Sequence, residues 1–284
     1  MNALTPLETL YDPERGVDLP LPPDLTRLYG RLKFPPREHA PYVIGNFVST
    51  LDGVTSLGEP GQEGGSEISG SNPHDRMVMG VLRAVADAVI VGAGTLRASP
   101  RHLWTAEYIY PPLTDAYRSL RAQLRKTDTP LNAIVTARGE IDPALPVFRS
   151  GRVRTLIVTT DEGKNRIMRG ALPSSVQVAS VKQDGRLTAS AILDEVAHVL
   201  NGNARVILVE GGPRLMGDFF GEHLLDEQFL TLAPQVAGRD NSVERPGLVD
   251  GKTFAPEHPL WGTLAGVKRG GDHLFLRYAF ESAF

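Results

Sequence analysis

One stretch constrains the fold more than any other: Arg205-Val-Ile-Leu-Val-Glu-Gly-Gly-Pro-Arg-Leu-Met-Gly-Asp-Phe-Phe220. Val206 to Val209 run apolar without alternation, as in a strand covered on both faces. Only a sheet with a layer on each side provides that environment. Gly211-Gly212 strips the following turn of side chains, and Pro213 suits a first helical position, where its missing N–H costs nothing. Leu215, Met216, Phe219 and Phe220 then recur at helical spacing. A strand turning through glycines into a helix aims free N–H groups and a positive dipole end at one spot, which suits a phosphate. Glu210 falls at the strand's carboxyl end, where open α/β sheets hold ligands. A carboxylate there is costly to bury without a partner.

Strand and helix patterns alternate over most of the chain. Tyr42 to Val48 reads as a strand running into Ser49-Thr-Leu-Asp-Gly53, and Asp52-Gly53 signals a turn. The glycine-rich, polar stretch from Val54 to Asn72 is long for a connection, as is expected of a loop covering a site. Asn72-Pro73 opens a helix whose apolar face is Met77, Val78, Val81, Leu82 and Val85. Ala88 to Val91 is the next strand and ends in Gly92-Ala-Gly-Thr95. Further strands are expected at Leu131–Thr136, Thr155–Thr159 and Val176–Ala179, with helices from about Gly163 to Arg169 and from Thr188 to Leu200. Glu227–Ala233, Thr263–Lys268 and Leu274–Phe280 close the chain as strands. This order predicts a three-layer α/β fold, with a mostly parallel central sheet and antiparallel C-terminal edge strands.

The domain organisation expected is a proline-rich arm over residues 1–40 and a single domain over 41–284, with an insertion or lid at about 101–130. The arm is expected to pack through Leu7, Leu10, Leu25, Leu28, Tyr29 and Leu32. Several functions are excluded. The chain has no cysteine, which removes disulfides, thiolate metal sites and cysteine nucleophiles. His74, His102 and His198 have no metal-ligand spacing. A net charge of −3 gives nucleic acid no footprint. The glycine-rich loop lacks a following Lys-Ser/Thr, so it is no nucleotide-hydrolase loop. With neither an apolar leader nor a membrane-length run, a cytoplasmic protein is expected.

Ser49-Thr-Leu-Asp-Gly53, Val91-Gly-Ala-Gly-Thr95, Val209-Glu-Gly-Gly212 and Ala233-Pro234 occur in an order and spacing that resemble the reductase domain of riboflavin biosynthesis. The resemblance runs from residue 42 to about 280 and implies a dihydrofolate-reductase-like fold, NADPH as cofactor and a homodimer. Bifunctional relatives carry a zinc deaminase whose signature needs cysteine, so the chain resembles the stand-alone form. The reaction implied is hydride transfer from NADPH to the sugar C1′ of a ribosylamino-pyrimidine 5′-phosphate, giving the ribitylamino product. A dihydrofolate-reductase-like activity on a pterin, with Asp75 binding the ring, and a non-catalytic NADP-binding sensor are the alternatives.

The resemblance also implies roles for individual residues. Gly92, Gly94, Thr95, Gly211, Gly212, Arg214 and Leu215 correspond to the cofactor cradle, and Ile68 to a position near the nicotinamide. Thr136 or Arg138 takes the 2′-phosphate, with Arg152 and Arg154 nearby. Ser66 and Arg83 face the substrate, whereas Asp52 and Glu210 flank the reacting carbon as catalytic carboxylates. Asp52 is the preferred proton donor, because a carboxyl group in a dry site can have its pKa raised. Two departures stand out. Asn46 replaces the lysine of bifunctional members, and Ala98-Ser-Pro-Arg-His-Leu-Trp-Thr105 is one residue short and lacks the family's phosphate-holding arginine. Arg101 or His102 is the expected substitute.

Overall fold

The computed structural model describes residues 4–37, 40–59, 64–181, 187–240 and 242–281. The arm holds β1 (Glu8–Tyr11), β2 (Val17–Asp18), α1 (Pro23–Tyr29) and β3 (Lys33–Phe34). The body continues with β4 (Tyr42–Ser49), α2 (Gly65–Ser69), α3 (Pro73–Val85), β5 (Ala88–Gly92), α4 (Ala93–Ala98), α5 (Ala106–Ile109), α6 (Thr114–Gln123) and β6 (Leu131–Thr136). Then come α7 (Pro146–Arg149), β7 (Thr155–Thr160), α8 (Asp161–Ile167), β8 (Val176–Val181), α9 (Ala189–Val199), β9 (Val206–Val209), α10 (Pro213–Gly221), β10 (Glu227–Leu232), β11 (Thr263–Gly270) and β12 (His273–Ala279).

A ten-stranded sheet in the order β1-β11-β12-β10-β4-β9-β5-β6-β7-β8 carries the fold. From β10 through β8 every neighbouring pair is parallel, and β12, β11 and β1 join antiparallel. Alternation along β9 explains the two covering layers. Val206 and Leu208 point into the cluster holding Met77, Val81 and Leu82 of α3, and Ile207 and Val209 into the cluster holding Ile192, Val196, Met216 and Phe219 of α9 and α10. Because the chain returns from β8 to place β9 between β4 and β5, a crevice opens at the carboxyl ends of these three strands.

Helix starts follow their local chemistry. The Asn72 side chain accepts from the N–H groups of His74 and Asp75 ahead of Pro73, and Thr188 accepts from Ala191 N–H to cap α9.

Two expectations are corrected. Residues 101–130 form a wall and not a lid: Trp104, Tyr117 and Leu120 are buried in the core, and the Tyr117 hydroxyl donates to Met77 O. Arg121 donates to the carbonyls of Arg83, Ala84 and Ala86, satisfying the end of α3. In the arm, Leu7, Leu25, Leu28, Tyr29 and Leu32 pack as expected, but Leu10 is 49% exposed, because β1 pairs on the sheet's outer edge.

Candidate active site

The crevice is a cleft of about 630 Å³ whose walls include Asn46, Ser66, Asp75, Arg83, Thr95 and Glu210. A cleft of about 670 Å³ lies at the opposite ends of the strands, but size does not select it. Its buried cations are already paired, Lys33 with Asp12 and Glu14, and Arg277 with Glu227.

The floor of the crevice is built where two glycine turns meet. A Cβ on Gly211 would lie 2.4 Å from both Gly92 N and Val91 Cα, so only glycine lets β9 and β5 end this close together. Gly212, at φ +44°, then donates its N–H to Thr95 Oγ1 at 3.0 Å. That bond ties the two turns together at the start of α10, which spans nine residues from Pro213. A Cβ on Gly92 or Gly94 would meet nothing within 4 Å, so the rim beside this turn is open. Bare backbone, one hydroxyl and a helix N-terminus are a donor set suited to a pyrophosphate.

Beside the floor, Glu210 and Arg83 form a buried ion pair. Arg83 Nε donates to both carboxylate oxygens at 3.2 and 3.0 Å, and Nη2 donates to Oε2 at 2.7 Å. The two side chains are 4% and 1% exposed. Arg83 Nη1 donates to Thr105 O and makes a 2.8 Å contact with His102 Nε2. Since guanidinium only donates, His102 is neutral, with its proton on Nδ1. Burial, and after it the charges of Arg83 and Arg76, push its pKa down to about 2. The ring is held between Trp104 and Tyr108. Asp75 is buried on the same wall, near the Ser69 and Thr231 hydroxyls, and burial raises its pKa.

Several expected site residues stand elsewhere. Asp52 is no wall of the crevice: its carboxylate accepts from the Thr50 hydroxyl at 2.6 Å and from the N–H groups of Ala237 and Gly238 at 3.1 and 2.8 Å. These donors, Thr50 first, hold its pKa well below the usual carboxylate range, so the raised pKa expected of a proton donor is corrected. Ile68 is 1% exposed, packed with Val54 and Ala233, and offers no face to a nicotinamide. Leu215 is buried in the α9–α10 layer. Arg214, 81% exposed, pairs with Asp250. Thr136 is buried, its hydroxyl accepting from Gly139 N–H, whereas Arg138 is exposed just past the carboxyl end of β6. Arg101 is exposed and His102 lines the cleft, which separates those two candidates. Residues 60–63 of the glycine-rich loop lie outside the described residues, while Ser56, Gly64, Gly65 and Ser66 line the cleft.

Sequence reasoning missed Arg76 and Arg97, which also line it. The signal for Arg76 was present, since Arg76, Met79 and Arg83 share one helical face at spacings of three and seven.

A backbone cradle suited to phosphate beside a buried ion pair, in a switch-point crevice, defines an α/β site for a phosphate-bearing ligand in class. The family model of the RibD C-terminal domain matches residues 41–269, and the chain belongs to that family. It is 28% identical over 218 residues to the 2,5-diamino-6-ribosylamino-4(3H)-pyrimidinone 5′-phosphate reductase of Archaeoglobus fulgidus, covering 75% of this chain and 88% of that protein. Among solved structures, a pyrimidine reductase-like protein of Corynebacterium diphtheriae aligns with TM-score 0.62 at 19% identity, over 84% of this chain and 92% of that one. The deaminase/reductase of Thermotoga maritima aligns with TM-score 0.62 at 18% identity, over 85% of this chain and 57% of that one. The chain therefore spans little more than half of the bifunctional protein. Among the described residues no helix is long and apolar enough to cross a membrane.

Proposed function

We propose that the protein reduces a ribosylamino-pyrimidine 5′-phosphate to its ribitylamino product with NADPH. The observation that carries this reading is the Thr95–Gly212 clamp, which sets a phosphate cradle directly beside the Arg83–Glu210 pair. Thr95, Gly94, Gly212 and the first turn of α10 would hold the cofactor's pyrophosphate, and Arg138 at the β6 edge its 2′-phosphate. When bound, the cofactor supplies the hydride. Arg83 fixes the Glu210 carboxylate in place, so that it orients donor groups of the substrate. Asp75, whose pKa burial raises and which lines the cleft beside Glu210, takes the proton-donor role expected of Asp52. Asp52 instead braces the turn after β4 against Ala237 and Gly238.

NADPH oxidation with the ribosylamino-pyrimidine 5′-phosphate, run beside dihydrofolate, tests the reading. Turnover of the pyrimidine alone is expected. Preference for dihydrofolate would favour the pterin alternative, in which the buried Asp75 reads ring N–H groups. NADPH binding without turnover of either compound would leave the sensor. Arg138→Ala is expected to weaken NADPH binding and leave NADH binding unchanged. A homodimer and a cytoplasmic location belong to the same reading, and sedimentation showing only monomer at micromolar concentration would remove the former.

A further inference from the structure

The substrate proposed above carries a dianion, and the cleft must hold it without the arginine absent near Thr105. Among the described residues, three arginines line the cleft: Arg76, Arg83 and Arg97. Arg83 is committed, with Nε and Nη2 on Glu210 and Nη1 between His102 and Thr105 O. His102 accepts at Nε2 and so brings no charge. Glu210 is neutralised by Arg83, which leaves the cleft's available positive charge on Arg76 and Arg97.

Arg76 is the informative one. It is half-buried at the end of the first turn of α3, and its Nε is buried with no hydrogen-bond partner among the described residues. A buried guanidinium N–H left unpaired is costly, and a ligand oxygen removes that cost. Arg97 lies exposed on α4, the helix that begins at the Gly92–Thr95 turn. Guanidinium forks match phosphate oxygens in planar pairs, which hydroxyls cannot do.

The structure assigns the substrate's phosphate to Arg76 and Arg97, Arg76 gripping it inside the cleft and Arg97 at its mouth. This rests on the pyrimidine-reductase reading, and the pair sets specificity for a phosphorylated substrate over its dephosphorylated counterpart.

The test compares wild type, Arg76→Ala, Arg76→Lys and Arg97→Ala on the phosphorylated pyrimidine and on the same compound without phosphate. Arg76→Ala is expected to raise KM for the phosphorylated compound by about tenfold to a hundredfold, with kcat within a few-fold and little change for the other. Arg76→Lys should recover part of the loss, and Arg97→Ala should show a smaller rise. NADPH binding, followed by fluorescence, should match wild type in all three variants. Equal losses on both compounds, an unchanged KM, or weakened NADPH binding would overturn the assignment. Should wild type reduce neither compound, the reductase reading fails by itself. Equilibrium binding of ribose 5-phosphate, with ribose as control, then tests the grip without turnover. Binding of ribose 5-phosphate that Arg76→Ala weakens supports the assignment, and binding that is absent or unaltered by that change refutes it.

Discussion

At the scale of single residues, the protein sets three titratable groups apart by environment, two in the site and one beside it. His102 is neutral because Arg83 donates to it and burial excludes the imidazolium. Its folded pKa lies far below the unfolded 6.5, so the stability it contributes is complete above pH 6.5 and is lost as the pH falls below that value. The nitrogen shifts of His102 should therefore stay those of neutral imidazole from about pH 8 to 5, and a midpoint near 6.5 would refute the buried contact. The two aspartates are pushed apart. Asp75→Asn is expected to lower kcat by about a hundredfold with NADPH binding intact. Asp52→Asn should leave kcat within a few-fold but lower the melting temperature near neutral pH. Asp52 has a depressed pKa, so its contribution is present above 3.8 and lost as the pH falls below that value. The melting-temperature gap between wild type and Asp52→Asn should then close in acid. A hundredfold kcat loss in Asp52→Asn, with none in Asp75→Asn, would restore the opposite assignment.

At the scale of elements, the junction of β5, β9, α4 and α10 decides whether a cradle exists. Gly211→Ala places a methyl against the Gly92 and Val91 backbone, which has no side-chain end that can yield. A loss of about 1–3 kcal/mol in denaturant unfolding is expected, together with weakened NADPH binding. Stability equal to wild type would mean that the strands can part without cost. This junction was legible in the sequence, because glycine, proline and an apolar strand each permit few alternatives. The same holds for α3, whose cap and apolar face were both written locally. What was not legible depended on distant partners. Asp52 looked catalytic beside its turn, but its donors come from Ala237 and Gly238, far along the chain. Ile68 and Leu215 sit next to ligand-facing positions yet point into the core, since adjacent helical residues diverge by about 100°. Residues 101–130 looked like an insertion because proline and aromatic residues obscure periodicity. Their role appears only once Tyr117 meets Met77 and Arg121 meets the end of α3.

At the scale of the whole molecule, the crevice is braced from two sides: the α3–α6 wall is fixed to one face of the sheet, and the arm closes the sheet's antiparallel edge. Lys33, almost fully buried, pairs with Asp12 and Glu14, while β1 covers β11. Residues 1–40 lie outside the span that the family model matches. A chain starting at residue 41 is expected to keep the cleft but to melt at lower temperature and to aggregate, since Leu25, Leu28 and Leu32 would no longer cover the core and β11 would become a bare edge. Unchanged melting and solubility would show the arm to be ornamental.

The pairing of β1 with β11 also bears on how the protein is made. Glu8 meets Arg269 across a separation of 261 residues. A ribosome adding about 5–20 residues per second leaves β1 without its partner for roughly 13–50 s. During that interval the arm's leucines and an unpaired strand are open to chaperones and to neighbouring nascent chains. Closure of the sheet's outer edge is thus a late event in synthesis, timed by translation of β11.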